Sequence, residues 1–264
     1  METLSLIYYS PTGTTQKVVR EIGQNMGLQL ISEINIAQNK SESIIGTSSN
    51  CLTIIGMPVY SGRLPITVIE TLKQLKSNQT PAVIVVVYGN RAFDDSLLEL
   101  KDIVSKCGFR IIAAGAFIGE HSYSTNEKPI AKNRPDKQDL EKCRDFAGMI
   151  TKKLRNIQNI SSFPELAIPG NYPYKENKQI STTIYPETDN DLCTLCGICA
   201  DSCPTNAITI QDTVITNGEL CTLCCACVKN CPEDARTLDN PAINAIREKL
   251  FLNFSIRKEP IYFV

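Results

Sequence analysis

The chain has 264 residues, of which 42% are hydrophobic and 21% are charged, and its formal net charge is -1. These values are typical of a globular protein of one or two domains, and they give no reason to expect nucleic acid or an anionic membrane as a partner. The longest apolar runs, such as residues 82–88, are too short to span a bilayer. The N-terminus has no basic segment and no small-residue cleavage site, so we expect no signal peptide and a cytoplasmic protein.

Residues 1–160 alternate predicted strands and helices. The strands are predicted at 4–9, 28–36, 51–57, 82–88 and 110–117, and the helices at 14–26, 65–75, 94–107 and 135–157. The valine-rich run at 82–88 is typical of a strand that is buried on both faces of a parallel sheet. Five strands that alternate with helices predict an α/β fold, a doubly wound parallel sheet with right-handed crossovers.

Residues 161–188 interrupt this alternation with four prolines among polar residues, and we expect them to form an extended linker. Charge differs on its two sides. Residues 1–160 carry 19 Lys/Arg against 15 Asp/Glu, whereas residues 189–240 carry 2 against 8. Opposite net charges would favour docking of the two parts, although chance surface composition explains the difference equally well.

Nine of the 12 cysteines lie in residues 189–240, and eight of them form an internal repeat. The sequence LCTLC at 192–196 recurs at 220–224, and Cys-Pro at 203–204 recurs at 231–232, both offset by 28 residues. Each copy reads C-x2-C-x2-C-x3-C-P, a spacing in which three thiolates wrap one [4Fe–4S] cluster and the fourth reaches the other cluster. The predicted ligands are Cys193, Cys196, Cys199 and Cys231 for the first cluster, and Cys221, Cys224, Cys227 and Cys203 for the second.

Zinc and disulfides are weaker explanations of these cysteines. A zinc ribbon uses paired C-x2-C knuckles separated by longer spacers, and a disulfide framework is typical of secreted domains. The pattern resembles the bacterial two-cluster ferredoxin over residues 190–238. The chain departs from the repeat at Cys225, which stands where the first copy has Gly197. The simplest interpretation of Cys225 is a small buried residue, with a ligand exchange as the alternative.

Three loops in residues 1–160 follow predicted strands, at the edge where doubly wound sheets bind their ligands. The first has the sequence SPTGTT at 10–15 and begins a helix, so its hydroxyl and N–H groups can hold a phosphate. An ordinary capped helix start is the alternative. The loop lacks a Walker lysine and a G-x-G-x-x-G pattern. The other two loops are PVYSGRLP at 58–65 and YGNR at 88–91.

The S-x-T-G-T-T loop resembles the phosphate loop of flavodoxins. Together with the loops at 58–65 and 88–91, it is similar to the ferrodoxin type of fusion, in which a flavodoxin-like domain precedes a two-cluster ferredoxin. This resemblance implies bound FMN. The phosphate would lie on Ser10, Thr12, Gly13, Thr14 and Thr15, and the ring beside Pro58, Val59, Tyr60, Ser61, Gly62, Tyr88, Gly89, Asn90 and Arg91.

Some of these residues have expected roles. Tyr60 would stack on the ring, and Arg91, more than Arg63, would place a positive charge near it, unless Arg91 is an ordinary surface arginine. Such a charge departs from flavodoxins, whose FMN site is typically acidic and contains tryptophan, and this chain has no tryptophan. His121, the single histidine, is either a contact or proton donor of the flavin or a structural residue.

The sequence therefore predicts a flavin-binding domain at 1–160, a linker at 161–188, a cluster domain at 189–240, and a tail at 241–264 that packs on one of the domains. The working hypothesis is an anaerobic, low-potential electron carrier that passes single electrons between the clusters and FMN, with redox proteins as partners. The alternatives are a flavin-dependent oxidoreductase that reduces a small molecule, and a redox sensor. The donor, the acceptor and the oligomeric state are left open.

Overall fold

The computed structural model describes residues 1–38, 50–155, 164–177 and 182–264. Its N-terminal part alternates strands and helices in the order β1 (Thr3–Tyr8), α1 (Thr14–Gln24), β2 (Gln29–Asn35), β3 (Cys51–Pro58), α2 (Ile66–Lys73), β4 (Pro81–Tyr88), α3 (Ser96–Lys106), β5 (Arg110–Ile118) and α4 (Lys137–Arg155). The five strands are parallel and lie in the order β2-β1-β3-β4-β5. This strand order is that of flavodoxin-like sheets and confirms the predicted α/β fold.

The sheet has a hydrophobic core on each face, because successive side chains of a strand point to opposite sides. On one face α1 and α4 pack through residues such as Val19 and Phe146. On the other face α2 and α3 pack through Leu72 and Leu100. All eight residues of β4 are buried, as expected for a central strand covered on both sides. The two helical layers leave the carboxyl ends of the strands free to form a site.

The cysteine-rich segment contains β6 (Glu187–Thr188), α5 (Ile198–Asp201), β7 (Ile208–Ile210), β8 (Val214–Thr216), α6 (Ala226–Lys229) and β9 (Arg236–Thr237). Strands β6 and β9 pair antiparallel, as do β7 and β8. The 28-residue repeat is also a repeat of backbone conformation. Positive φ angles recur at the same positions of the two copies, in the pairs Leu195/Leu223, Gly197/Cys225 and Asn206/Asp234.

The C-terminal tail returns to the first sheet, as helix α7 (Pro241–Asn253) followed by strand β10 (Ile261–Phe263). The side chain of Asn240 caps α7 by accepting a hydrogen bond from the backbone N–H of Ala242 at 3.0 Å. Strand β10 pairs antiparallel with β5, so the sheet has six strands where the sequence predicted five. A three-residue strand is too short to show an alternating hydrophobic pattern, which explains why it was missed.

Polar contacts join the later segments to the first sheet. In the linker, the backbone N–H groups of Asn171 and Lys175 donate to the carboxylate of Asp95 at 2.8 and 2.7 Å. In the cysteine-rich segment, Lys229 forms an ion pair with Glu120 at 2.8 Å. Lys229 is positive although residues 189–240 are acidic as a whole, and Glu120 is negative although residues 1–160 are basic as a whole. The net charges of the two segments therefore do not describe this contact. Within the described residues, no helix combines the length and the apolar character needed to cross a bilayer.

Candidate functional site

A cavity of about 290 Å³ lies at the carboxyl edge of the parallel sheet. It is called the large cavity to distinguish it from two cavities of about 20 Å³ in the cysteine-rich segment. The three loops that the sequence singled out meet in its wall. From these loops it is lined by Ser10, Pro11, Thr12, Thr14, Thr15, Pro58, Val59, Tyr60, Ser61, Gly62, Tyr88, Gly89 and Arg91. Of the residues predicted to hold FMN, Gly13 and Asn90 are not part of this lining.

The loop before α1 has the features of an anion cradle. Gly13 adopts a left-handed conformation, with φ of 77°, and the helix begins at the next residue. The hydroxyl of Ser10 accepts the N–H of Gln16 at 3.0 Å, and the hydroxyls of Thr12 and Thr14 lie 3.3 Å apart. The first turn of α1 has no acidic residue, and the space beside the α-carbon of Gly13 is open. The positive end of the helix dipole and these hydroxyls together fit a phosphate.

The loop after β3 makes a tight turn that brings Tyr60 into the cavity wall. The N–H of Tyr60 donates to the carbonyl of Arg63 at 2.9 Å, and the reverse bond is 3.0 Å long. Both intervening residues, Ser61 and Gly62, have positive φ, as a two-residue turn of this hand requires. Gly62 is further constrained, because a Cβ there would collide with the carboxylate of Asp94. The turn therefore requires glycine at position 62.

The phenol of Tyr60 lies close to the cysteine-rich segment. Burial raises its pKa well above the usual value, and the nearby thiol of Cys224 contributes to the same shift. Tyr60 therefore stays protonated at neutral pH and supplies a neutral aromatic surface. The predicted stacking of Tyr60 on a flavin ring stays a prediction, and its position in the wall of the large cavity is compatible with it.

The two arginines have different environments. Arg63 makes a bidentate ion pair with Glu99, at 2.9 and 2.6 Å, and also donates to the carbonyl of Lys175. This arginine holds the linker on α3 and is not among the residues that line the large cavity. Arg91 does line the cavity, but its guanidinium pairs with Asp94 at 2.5 Å. Its positive charge is therefore partly compensated at the site.

Asn90 has a structural environment. Its side chain is buried, and its amide nitrogen donates to the carbonyls of Phe254 and Ile256 at 2.5 and 2.8 Å. These partners lie 164 and 166 residues further along the chain. Asn90 thus fixes the tail between α7 and β10 beside the sheet. The cofactor-binding role expected for Asn90 stays a prediction, and its side-chain amide is engaged with the tail.

His121 lies in the loop after β5 and lines the large cavity. Its Nδ1 accepts the backbone N–H of Tyr123 at 3.0 Å, which leaves Nε2 as the protonated nitrogen of the neutral ring. Burial, together with the positive charges of Arg91 and Lys229, lowers its pKa to about 4. The ring also packs against Gly89, where a Cβ would collide with it. His121 is thus a neutral hydrogen-bond donor at the cavity and a packing element of its wall.

The large cavity is completed by residues that the sequence analysis did not assign to it. They come from the second cysteine repeat and from α7, and they are Thr222, Leu223, Ile243, Ile246 and Leu250. The four apolar residues form an apolar cover of the cavity, which suits a planar aromatic ligand. One local signal was available, since Asn240-Pro241 before an apolar stretch is a helix start. The residues around this helix start do not indicate which surface of the protein the helix packs against.

The eight repeat cysteines surround two smaller cavities. Cys193, Cys196, Cys199 and Cys231 line the first cysteine cavity. The second is lined by Cys203, Cys221, Cys224 and Cys227, and also by Cys225. Apart from Cys225, each cavity therefore has three cysteines of one repeat and the fourth of the other. Among the described residues, no three His, Cys, Asp or Glu side chains converge closely enough to hold a single ion. All 12 cysteines are free thiols.

A buried cation lies between the two cysteine cavities. Arg236 is only 3% exposed and lines the first cavity. Its guanidinium donates to the hydroxyls of Thr188 and Thr216 at 2.5 and 2.9 Å, and to the sulfur of Cys227 at 3.7 Å. A buried guanidinium is stable only beside negative charge or good acceptors. This position suits the thiolates of a bound cluster, and the sequence did not single it out.

Residues 186–209 match the family model described as 4Fe-4S binding domain. No curated protein matches the chain in sequence. Among solved structures, flavodoxin 1 from Bacillus cereus is similar over 57% of this chain and 98% of its own, with 15% identity and a TM-score of 0.43. A Fusobacterium nucleatum flavodoxin bound to flavin mononucleotide is similar over 58% and 99%, with 18% identity and a TM-score of 0.40. By its strand order and its family match, the chain joins a flavodoxin-like sheet to a 4Fe-4S binding segment.

Proposed function

We propose that this protein carries single electrons between two [4Fe–4S] clusters and a bound FMN. One observation carries the proposal. Thr222 belongs to the wall of the large cavity and also to the wall of the second cysteine cavity. Ligands in those two cavities would be separated by little more than one residue, and electron transfer between redox centres is fastest at such short separations.

The residues present fit these groups. The hydroxyl-rich loop at 10–15 would hold the FMN phosphate, and Tyr60 with the apolar cover from α7 would hold the ring. The first cluster would be held by Cys193, Cys196, Cys199 and Cys231, and the second by Cys203, Cys221, Cys224 and Cys227. When bound, the clusters supply one-electron chemistry and the flavin supplies one- or two-electron chemistry.

The chain itself would position these groups and exclude water from between them. Leu223 of the cysteine-rich segment and Leu250 of α7 contribute apolar side chains to the wall of the large cavity. The ion pair of Lys229 with Glu120 holds that segment on the loop after β5. The hydrogen bond from Arg247 of α7 to the carbonyl of Tyr123, at 2.8 Å, holds the tail on the same loop. On this proposal residues 1–160 bind FMN, residues 189–240 bind the clusters, and the linker and the tail fix one domain on the other.

The test is the cofactor content of protein purified without oxygen. We expect about eight iron atoms, about eight sulfides and one FMN per chain, from the ligand count. The chain offers a matched pair of variants in adjacent cysteines. Cys224→Ser should lose the iron of one cluster, whereas Cys225→Gly should retain all of it, because Gly197 holds the same backbone conformation in the first repeat.

Three results would contradict the proposal. Bound zinc, or protein without labile sulfide, would remove the clusters from it. A preparation that contains both clusters but binds no FMN under reconstitution would remove the flavin. Equal iron loss in the Cys224 and Cys225 variants would show that the cysteines of the second cavity are not sorted as proposed.

A further inference from the structure

We propose that the exposed loop of the first cysteine repeat is a docking surface for a redox protein with a basic face. The surface comprises Leu192, Leu195, Cys196 and Ile198 with the acidic residues around them. The inference rests on the proposed function and adds to it the path that electrons take through the chain. Electrons would enter or leave the chain at the first cluster and would exchange with the flavin at the second.

The internal repeat supplies a comparison within one molecule. Leu195 is 43% exposed, whereas its counterpart Leu223 is 4% exposed. Ile198 is 39% exposed, and its counterpart Ala226 is fully buried. The two loops have the same left-handed backbone positions, so the difference does not arise from their local structure. It arises because the second loop is covered and the first is not.

The second loop is covered because it packs against the large cavity, which is the proposed flavin site. Leu223 lines the large cavity and packs with Cys225, Leu238 and Ile243 in one hydrophobic cluster. The cysteine at the middle of this loop, Cys224, is buried, whereas its counterpart Cys196 is exposed. The second cluster would therefore face the flavin, and the first would be nearest to the protein surface. The first leucine of each copy, at 192 and 220, is exposed in both, so the asymmetry is confined to the ligand loop.

Charge defines the chemistry of the partner. Residues 189–240 contain eight acidic and two basic residues. Both basic residues are engaged inward, since Arg236 is buried and Lys229 is paired with Glu120. Exposed acidic residues lie close to the cysteines of the first cavity. Asp191 is two residues before Cys193, Asp201 is two residues after Cys199, and Glu233 lines the cavity. An apolar centre with an acidic rim is complementary to an apolar patch ringed by lysine and arginine.

A basic cytochrome c is a suitable probe of this surface. The full chain is reduced with dithionite, freed of excess reductant without oxygen, and mixed with ferricytochrome c in a stopped-flow instrument. Each productive encounter oxidises the chain by one electron and reduces one haem iron from ferric to ferrous, and no proton or group is transferred. The second-order rate constant is measured at low and at high ionic strength, because salt screens the attraction between opposite charges.

Two variants with the same change in net charge are compared. The test variant neutralises the acidic rim and carries Asp191→Asn, Asp201→Asn and Glu233→Gln. The control variant neutralises exposed acids of α2 and α4 and carries Glu70→Gln, Glu141→Gln and Asp145→Asn. At low ionic strength we expect the test variant to react about tenfold more slowly than wild type and to lose most of its salt dependence. The control variant should stay within about twofold of wild type.

A zero-length carbodiimide crosslink to cytochrome c gives a readout that does not depend on electron transfer. Mass spectrometry should find the cytochrome lysines joined to Asp191, Asp201 or Glu233. Crosslinks confined to carboxylates of residues 1–160, or equal rate effects in the two variants, would overturn the docking surface. Self-association of the wild-type chain that disappears in the test variant would also overturn it, since the occupant would then be a second copy. Iron, sulfide and FMN contents separate these failures from failure of the proposed function, which predicts full contents in all three proteins.

Discussion

If the two cysteine cavities hold clusters as proposed, Arg236 should raise their reduction potentials, and replacing it with glutamine tests this directly. The guanidinium is buried, lies 3.7 Å from the sulfur of Cys227 and lines the first cysteine cavity. Reduction adds one negative charge beside it. With an effective dielectric constant of about 20, a unit charge at 3.7 Å would interact by about 4.5 kcal/mol, and a charge spread over a cluster about twice as far away by about 2 kcal/mol.

This energy converts into a measurable shift. Since a tenfold change in a one-electron equilibrium corresponds to 59 mV and to about 1.4 kcal/mol, removal of about 2 kcal/mol should lower the potential by about 90 mV. The assay is a redox titration followed by the EPR signals of the reduced clusters. The cluster held by Cys227 should show the larger shift, because Arg236 donates a hydrogen bond to that sulfur.

The matched control is Arg236→Lys, which keeps the positive charge but loses the planar fork that reaches Thr188 and Thr216. Its potentials should lie closer to wild type than those of the glutamine variant. Iron and sulfide contents must be full in both variants for the comparison. Potentials within about 20 mV of wild type in the glutamine variant would refute the electrostatic reasoning, as would equal shifts in the lysine and glutamine variants.

Three further predictions concern the large cavity. Gly62→Ala should destabilise the protein by about 1–3 kcal/mol in urea unfolding, because the residue has a φ of 86° and a Cβ would meet Asp94; unchanged stability would contradict the strain. Arg91→Ala should lower the flavin reduction potential in a spectroscopic titration, and no shift would mean that Asp94 already cancels the charge. For His121, the folded pKa of about 4 lies below the unfolded value, so its contribution to stability is complete above about pH 6.5 and is lost as pH falls toward 4. His121→Gln should flatten the stability–pH curve in that range, and an unaltered slope would contradict the assignment.

The fold could be predicted from the sequence because the patterns that indicate its strands and helices lie within short stretches of the chain. The continuous valine-rich run of β4 and the helical spacing of apolar residues between the strands can each be recognised from neighbouring residues alone. The cavity-lining loops at 10–15 and 58–62 were found for a related reason. In a parallel sheet the carboxyl ends of all strands lie at one edge, so a loop that follows a strand is known to lie at that edge.

Long-range contacts account for what was missed. The hydrogen bonds from the side chain of Asn90 to carbonyls of the tail, more than 160 residues away, were not predicted, whereas its role at the cofactor stays a prediction. The apolar cover of the large cavity comes from α7 and from Leu223, and β10 adds a sixth strand to the sheet. No hydrophobic period or turn signal encodes which distant surface such a segment covers, because that choice depends on the shape of the folded domain.

The two cysteine repeats show which properties the sequence determined and which the tertiary structure determined. Their spacing alone indicated iron–sulfur chemistry and the exchange of the fourth ligand, since ligand geometry is a property of a few consecutive residues. The sequence could not show which repeat faces the large cavity, because both copies contain the same LCTLC run. Tertiary packing determines which repeat this is, since Leu223 is buried against the large cavity whereas Leu195 is exposed to solvent. Only one of the two equivalent loops can occupy the interface with the sheet.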